Sequence, residues 1–532
     1  MPTCTPSRIA MLTGKYPYRV GRQHMYIKPL MPAGLPVNVK IMPQYFKEAG
    51  YATHAIGKWH LGYCHKNYTP TNRGFDSFYG FYLGSQDYYL HNKIENMVTG
   101  YDFRFNEDVL RGPEVDGKYS TELFVNRANA LIEEHKDGEK PWFTYLSFQS
   151  VHNPIQVPDE FTRKICRYKN ETRFYYSAMV NALDDAVDKV VKGLKRTGQY
   201  ENTVIVFTTD NGGADKDGGS NEPLKGTKGT LYEGGTRGIG FIHSPLLKKT
   251  KYTNKNLMHA VDWLPTLLAA VGQSDLAKEL DGVDHWASFN SENETAPREE
   301  MVYNIKEKPF KTAIRLGKYK LLWGNLSPKN TWYSAPEEVI NVQDCKKILK
   351  NKSKTTLVNK NEGPDLQERE IESIETLDSY DEEETESEQD LSLVQEERKR
   401  QHQVRNKKYH KGGNKKKKQP SGNFKRRFTN KNGVFIKPWG KTFLYDLEAD
   451  PEERIDISND FPDIVEDLKD RVMKHFENLL PGFAPDDVEV DNIQRILIIH
   501  AQTMILMPTC LQLIIIFSEN ITVKFIPELL DA

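Results

Sequence analysis

Three short apolar runs each lead straight into a loop of reactive side chains, and that recurrence limits the chain to a fold built on an open sheet. Ala52 to Ile56 runs into GKWHLG, the string WFTYLSF ends in the loop QSVHNP, and TVIVFTT leads directly into Asp210. Helical spacing fills the intervals: Met42 to Ala49 is stopped by Gly50, and Ser120 to Glu134 takes Ser120 or Thr121 as its cap. A third helix sets Met179, Leu183, Ala186, Val187, Val190 and Leu194 on one face and ends near Gly198. Alternating strands and helices of this kind predict an α/β sheet. Ligands of such sheets gather beyond the carboxyl ends of the strands. Lys58, His60, His152, Asp210 and Asn211 all fall there, and although each alone would be an ordinary loop residue, their shared placement marks a candidate site.

A chain of 532 residues can bury one large α/β core plus a smaller unit. Its formal net charge of -1 gives no global field directed at nucleic acid or an anionic membrane, so neither is expected as a partner. The cysteines Cys4, Cys64, Cys166, Cys345 and Cys510 are too scattered for a disulfide framework and form no zinc-type pair; at most two bridges are possible. Asn-x-Ser/Thr triplets at Asn67, Asn170, Asn293, Asn325, Asn351 and Asn520 suit a secretory protein, yet the opening MPTCTPSR lacks a basic and apolar leader. A chain whose true N-terminus is missing reconciles the two.

Composition divides the rest. Residues 1–300 are expected to form the α/β domain, and 301–328 with 436–482 a C-terminal subdomain, including a helix from about Ile464 to Leu480. Between them, 329–432 carries an acidic stretch and then basic runs with few apolar residues, which predicts a disordered insertion because burial cannot offset its ordering entropy. Residues 483–532 form an apolar tail. Its run from Ile496 to Phe517 is long enough for a bilayer, but His500, Gln502, Pro508 and Gln512 interrupt it, so a packed tail or sequence foreign to the fold is expected instead.

At the start of the chain, Pro6 and Ser7 can begin a helix that Gly14 ends, placing Cys4 at a helix N-terminus. Backbone donors and the helix dipole there favour an anion and activate a thiol, which supports either a cysteine nucleophile or a phosphate or sulfate site. Asp210 and Asn211 offer adjacent hard oxygen ligands suited to Ca2+ or Mg2+.

The string CTPSRIAMLTG resembles the signature of the type I sulfatases, in which C-x-P-S-R directs oxidation of the cysteine to formylglycine. The likeness continues in order through GYATHAIGKWHLG, PTNRGFDSFYGFYLGSQDYYLH, SFQSVHNPIQVP, TTDNGG, KGTKGTLYEGGTRGIGFIHSPLLKK, HAVDWLPTLLAAVG and LYDLEADPEERIDIS, and looks nearest to the arylsulfatase B, I and J branch. It implies an alkaline-phosphatase-like mixed sheet between helices, followed by a smaller antiparallel sheet and helix. It also implies a formylglycine hydrate at Cys4 whose hydroxyl attacks sulfur. Arg8 then steadies the hydrate and metal shell, Lys58 and Lys228 hold sulfate, His152 protonates the leaving alcohol and His60 assists collapse of the sulfated hydrate. Lys225 sits at a basic position nearby. One Ca2+ per chain would be held by Cys4, Asp210, Asn211 and an acidic pair on a first strand; only three residues precede Cys4, so that strand and pair are expected to be absent, Ca2+ affinity weakened and sulfate ester turnover by this chain low.

The implied partners are a sulfated small molecule or glycan, such as an N-acetylgalactosamine 4-sulfate ester, and the formylglycine-generating enzyme. The implied setting is lysosomal or extracellular. Two rivals stand beside this: the phosphatase side of the superfamily, disfavoured by the intact CTPSR and the absence of a zinc-type His cluster after Asp210, and a catalytically inactive protein that binds sulfated glycans.

Overall fold

Successive residues of the same strands face opposite layers, which splits one large sheet between two apolar cores. Ile56, Leu146, Ile205 and Phe207 join one core, while Ala55, Phe143, Tyr145 and Val206 join the other. The computed structural model describes residues 2–95, 97–138, 140–290, 296–326, 332, 345, 428–436, 438–482 and the backbone of 515–518. The chain divides into two compact units, Met1–Cys345 with Arg426–Ala532, and Lys346–Lys425; the second lies outside the described residues.

Within the first unit the strands run β1 (Ala52–Lys58), β2 (Ser77–Phe81), β3 (Asn92–Glu95), β4 (Val98–Tyr101), β5 (Arg104–Phe105), β6 (Asp108–Val109), β7 (Trp142–Ser147), β8 (Ile205–Thr209) and β9 (Gly240–His243). Four more, β10 (Glu300–Glu307), β11 (Phe310–Leu316), β12 (Tyr319–Gly324) and β13 (Lys441–Asp446), make an antiparallel sheet, and β14 (Ile515–Ser518) enters the large one. The large sheet has the order β6-β5-β2-β1-β7-β14-β8-β9. Its centre is parallel, from β2 through β8, and its margins are antiparallel.

The helices are α1 (Cys4–Thr13), α2 (Met42–Glu48), α3 (Ser120–Glu134), α4 (Asp159–Thr162), α5 (Glu171–Arg196), α6 (Glu233–Thr236), α7 (Trp263–Ala270) and α8 (Trp286–Asn290). Leu123, Phe124 and Leu131 of α3 and Met179, Leu183, Val187 and Val190 of α5 cover one face of the sheet. Ile9 and Leu12 of α1, Met42 and Phe46 of α2 and Leu264 and Leu268 of α7 cover the other. The small sheet packs Val302, Ile314, Leu321 and Leu444 against Val465, Leu468, Val472 and Phe476 of the helix Pro462–Phe476, with Ala10 and Tyr18 completing the cluster.

Several local expectations shift. The cap residue of α3 is Tyr119, not Ser120 or Thr121, because both hydroxyls are engaged elsewhere: Ser120 donates to the Tyr88 carbonyl and Thr121 pairs with Ser150. The last helix begins two residues earlier than its apolar spacing suggests, since Pro462 opens it, and ends at Phe476. The expected insertion lies mostly outside the described residues, but Asn430 near its end is buried and donates to the carbonyls of Phe476 and Leu479. Cys345 is bonded to Cys166. Most of the apolar tail is likewise outside the described residues, of which no helix is long and apolar enough to cross a membrane.

Candidate active site

Helix α1 begins at Cys4 and ends where Gly14 takes φ +62 and returns its N–H to the Ala10 carbonyl. A side chain would strain that left-handed turn, so Gly14 sets the length of the helix. Nearly every residue of α1 is buried, and Cys4, which is in no disulfide, is buried at its first turn. Four residues on, one helical turn brings Arg8 beneath Cys4 and into the sheet.

Arg8 is fully buried and ties three strand ends together. Its Nη1 donates to the Lys58 carbonyl at the end of β1 (3.1 Å), and to the hydroxyls of Tyr145 (3.1 Å) and Ser147 (2.6 Å) on β7. Its Nη2 reaches Asp210 Oδ2 just beyond β8 at 3.3 Å, with both side chains fully buried. A planar fork with several donors suits this task, whereas a single ammonium could not span three strands.

The other expected residues surround that frame. Lys58 is 1% exposed. His60 is buried with φ +58, and its Nε2 lies 2.8 Å from the Ile27 carbonyl. Thr5 of α1 closes the same corner, donating to the His60 carbonyl and accepting the Ile27 N–H, each at 3.0 Å. Asn211 donates Nδ2 to the Gly212 carbonyl at 3.0 Å. Lys228 lies on the loop before α6, where its N–H donates to the Gly213 carbonyl and the next N–H, of Gly229, donates to that of Pro2, both at 3.0 Å. That bond pair sets the lysine loop between the Asp210 turn and the start of α1. His152 follows β7; its Nδ1 lies 2.8 Å from the Asn153 carbonyl and its own carbonyl accepts from Tyr88. The named bonds of His152 lead to the 82–91 loop, while those of Arg8 join Lys58 and Asp210 directly.

Two side chains that the sequence reading passed over also face this corner. The Tyr26 phenol is pushed up by burial and by the nearby Cys4 and Glu95, with Lys228 opposing, and its ring centroid lies 5.9 Å from that of His60. Burial lowers the Lys93 ammonium, Glu95 opposes this and Lys58 adds to it, while Lys93 Nζ donates to Ser85 at 3.0 Å. Tyr26 and Lys93 sit in an irregular segment and a short exposed hairpin, so no periodicity marks them. A cavity of about 1040 Å3 borders α1, lined by Ser7, Asp210, Asn211, Phe241 and Trp263; it shares Asp210 and Asn211 with the frame described above, but Lys58, His60, His152 and Lys228 are not among its lining residues.

Asp210 and Asn211 present hard oxygen atoms, the donor type that Ca2+ takes. Among the described residues, no group of three or more His, Cys, Asp and Glu side chains is placed to hold a metal ion. The donor type fits Ca2+, which gathers roughly six to eight oxygens; among the described residues Asp210 and Asn211 would supply part of that set.

The sulfatase family model matches residues 1–273. Arylsulfatase J of Mus musculus is 42% identical over 352 residues, covering 66% of this chain and 57% of that protein. N-acetylgalactosamine-6-sulfatase of Rattus norvegicus is 29% identical over 303 residues, covering 53% of this chain and 56% of that protein. The chain thus spans little more than half the length of these curated relatives. The crystal structure of Ps i-CgsB shares the fold, with a TM-score of 0.64 at 23% identity over 94% of this chain and 88% of that one. The matched region carries Cys4, Arg8, Lys58, His60, His152, Asp210, Asn211 and Lys228 in one ordered frame, and with the family model covering more than half of its residues the chain belongs to the sulfatase family.

Proposed function

We propose that the protein hydrolyses sulfate esters at the corner formed by Cys4, Lys58, His152 and Lys228. The observation that carries this reading is the Arg8 guanidinium, which holds the first turn of α1, and with it Cys4, against the ends of β1, β7 and β8. Cleaving a sulfate ester builds negative charge on the transferring group and on the leaving oxygen, so a site needs fixed cations, donors and an acid. Lys58 and Lys228 supply the cations. Cys4, oxidised to formylglycine by the generating enzyme and then hydrated by water, supplies the geminal hydroxyl that attacks sulfur as the bond to the alcohol oxygen breaks. His152 gives that oxygen its proton, and His60 assists as the sulfated hydrate loses the proton of its remaining hydroxyl and expels sulfate, restoring the aldehyde. A bound Ca2+, held by Asp210, Asn211 and the Cys4-derived group, would add positive charge near the sulfate; Arg8 holds Asp210 by its Oδ2 atom.

The substrate class we assign is a sulfated amino sugar, with N-acetylgalactosamine 4-sulfate esters of glycosaminoglycans as the first choice; a relative that acts as an N-acetylgalactosamine-6-sulfatase supports the class. A lysosomal or extracellular setting is supported by the Cys166–Cys345 disulfide and by the exposure of Asn67, Asn170 and Asn325 in their glycosylation triplets. Turnover of a chromogenic aryl sulfate by the purified protein, produced with the generating enzyme and supplied with Ca2+, tests the reading. We expect hydrolysis that Cys4→Ser abolishes. Retention of a sulfated glycan with no hydrolysis, in protein that carries the aldehyde, would instead establish a binding protein.

A further inference from the structure

Below the loop that carries Lys228 lies a buried set of four charges that the reaction does not use: Lys225, Glu233, Lys320 and Glu453. Lys320 and Glu453 are fully buried, Glu233 is 3% exposed and Lys225 is 8% exposed. The Lys320 ammonium bridges Glu233 Oε1 at 2.7 Å and Glu453 Oε1 at 2.9 Å. Glu453 Oε2 accepts the backbone N–H of Glu233 at 2.7 Å, and the Tyr303 hydroxyl donates to Glu233 Oε1 at 3.0 Å. Lys225 completes the set: its Nζ donates to the Glu453 carbonyl at 3.1 Å and to the Tyr445 hydroxyl at 3.3 Å. It also lies over the rings of Trp332, Tyr232 and Tyr445, at 4.4, 4.8 and 5.3 Å from their centroids. Glu453 itself holds φ +58, a conformation that costs a non-glycine residue energy unless its surroundings impose it.

Four buried ions contribute little to stability compared with apolar residues of the same volume, because desolvation opposes their attraction; they do impose geometry. Here the geometry is that of the Lys228 loop. The Lys225 carbonyl accepts the Gly234 N–H at 2.7 Å, closing residues 225–234 into a tight turn. Gly235 packs so closely that a Cβ there would meet the carbonyls of Thr227 and Thr230, so the turn cannot absorb a side chain. On its other side the Thr227 hydroxyl donates to the Gly213 carbonyl at 2.9 Å, beside the N–H of Lys228. The loop is therefore clamped between the Asp210 turn and the small sheet.

We infer that Lys225 is a positioning residue: seated in its aromatic and carbonyl cage, it registers the loop on the small sheet and so sets where Lys228 meets the sulfate group. The inference rests on the reading of Lys228 as a sulfate-holding residue. A cation is needed at this position, and an arginine can stack on the same rings and donate to the same carbonyl.

The test compares wild type, Lys225→Met and Lys225→Arg in the full chain, by aryl sulfate kinetics and by hydrogen exchange of the amides of 226–236. We expect Lys225→Met to raise KM by about tenfold, since a misplacement of about 1 Å can cost up to about a hundredfold, and to speed exchange in that segment. Lys225→Arg should restore both. Should Lys225→Met fail to fold, Trp332→Leu removes one wall of the cage at a half-buried position and should give the same KM rise and faster exchange in smaller measure. A wild-type protein that hydrolyses no sulfate ester overturns the functional reading while exchange still reports on the clamp. Wild-type activity combined with unchanged KM and exchange in the variants overturns the positioning role alone.

Discussion

Arg8 reaches three strand ends at once, and its replacement should separate shape from charge. Arg8→Lys keeps the positive charge but loses the fork that reaches Lys58, Tyr145, Ser147 and Asp210 together. We expect a loss of roughly 3 kcal/mol in denaturant unfolding, the cost of breaking a buried ion pair, together with loss of aryl sulfate turnover. Full stability in the lysine variant would show that the fork is not what holds α1 to the sheet. His152 makes a different kind of claim. As the leaving-group acid, it should matter most for poor leaving groups: His152→Ala should slow their release by roughly a hundredfold, and acidic phenols far less. An equal loss across phenols of widely different acidity would remove it from the acid role. Asp262 offers a test away from the chemistry. Burial pushes its carboxyl up, but the nearby His285 imidazole and the hydrogen bonds from Arg298 outweigh that and hold it at about 2, below the ordinary carboxylate value. A carboxyl depressed by folding stabilises the protein above the unfolded value and loses that contribution, roughly 2 kcal/mol, as pH falls from about 4 toward 2. Asp262→Asn should therefore be less stable at neutral pH and show a shallower decline below pH 4; an unchanged slope would remove Asp262 from acid unfolding.

The elements show which features a sequence can disclose. The ends of β1, β7 and β8 were legible because apolar runs stop abruptly at polar residues, and α1 was legible because Pro6, Ser7 and Gly14 mark its bounds. Tyr26 and Lys93 were not, since they come from an irregular segment and a two-stranded ribbon without apolar periodicity. The pairing of Lys225 with Glu453 joins residues 228 positions apart, a contact to which local spacing is blind. Gly57 in β1 lies between these cases. Its place before Lys58 was visible, but its reason is steric: at φ +94, an added Cβ would collide with the Ser147 carbonyl of β7. Gly57→Ala should destabilise the protein by roughly 3 kcal/mol, from overpacking and backbone strain together, and lower its melting temperature accordingly. A melting temperature equal to that of wild type would mean that β1 and β7 can part without cost.

At the scale of the whole molecule, two sheets meet at the proposed site. The large sheet delivers Lys58, His152 and Asp210 from the ends of three strands, and α1 lays Cys4 and Arg8 across them. The small antiparallel sheet supplies no reactive group, but Lys320 from β12 and Tyr445 from β13 reach the base of the Lys228 loop. Family membership follows from the matched region; the chemistry assigned to it depends on what Cys4 becomes. The most direct measurement is the mass of the tryptic peptide that ends at Arg8, taken from protein produced with the formylglycine-generating enzyme. The account predicts an aldehyde at Cys4 that a hydrazide reagent captures, in a protein that turns over aryl sulfates. An unmodified thiol at Cys4 in protein that still hydrolyses those esters would contradict it.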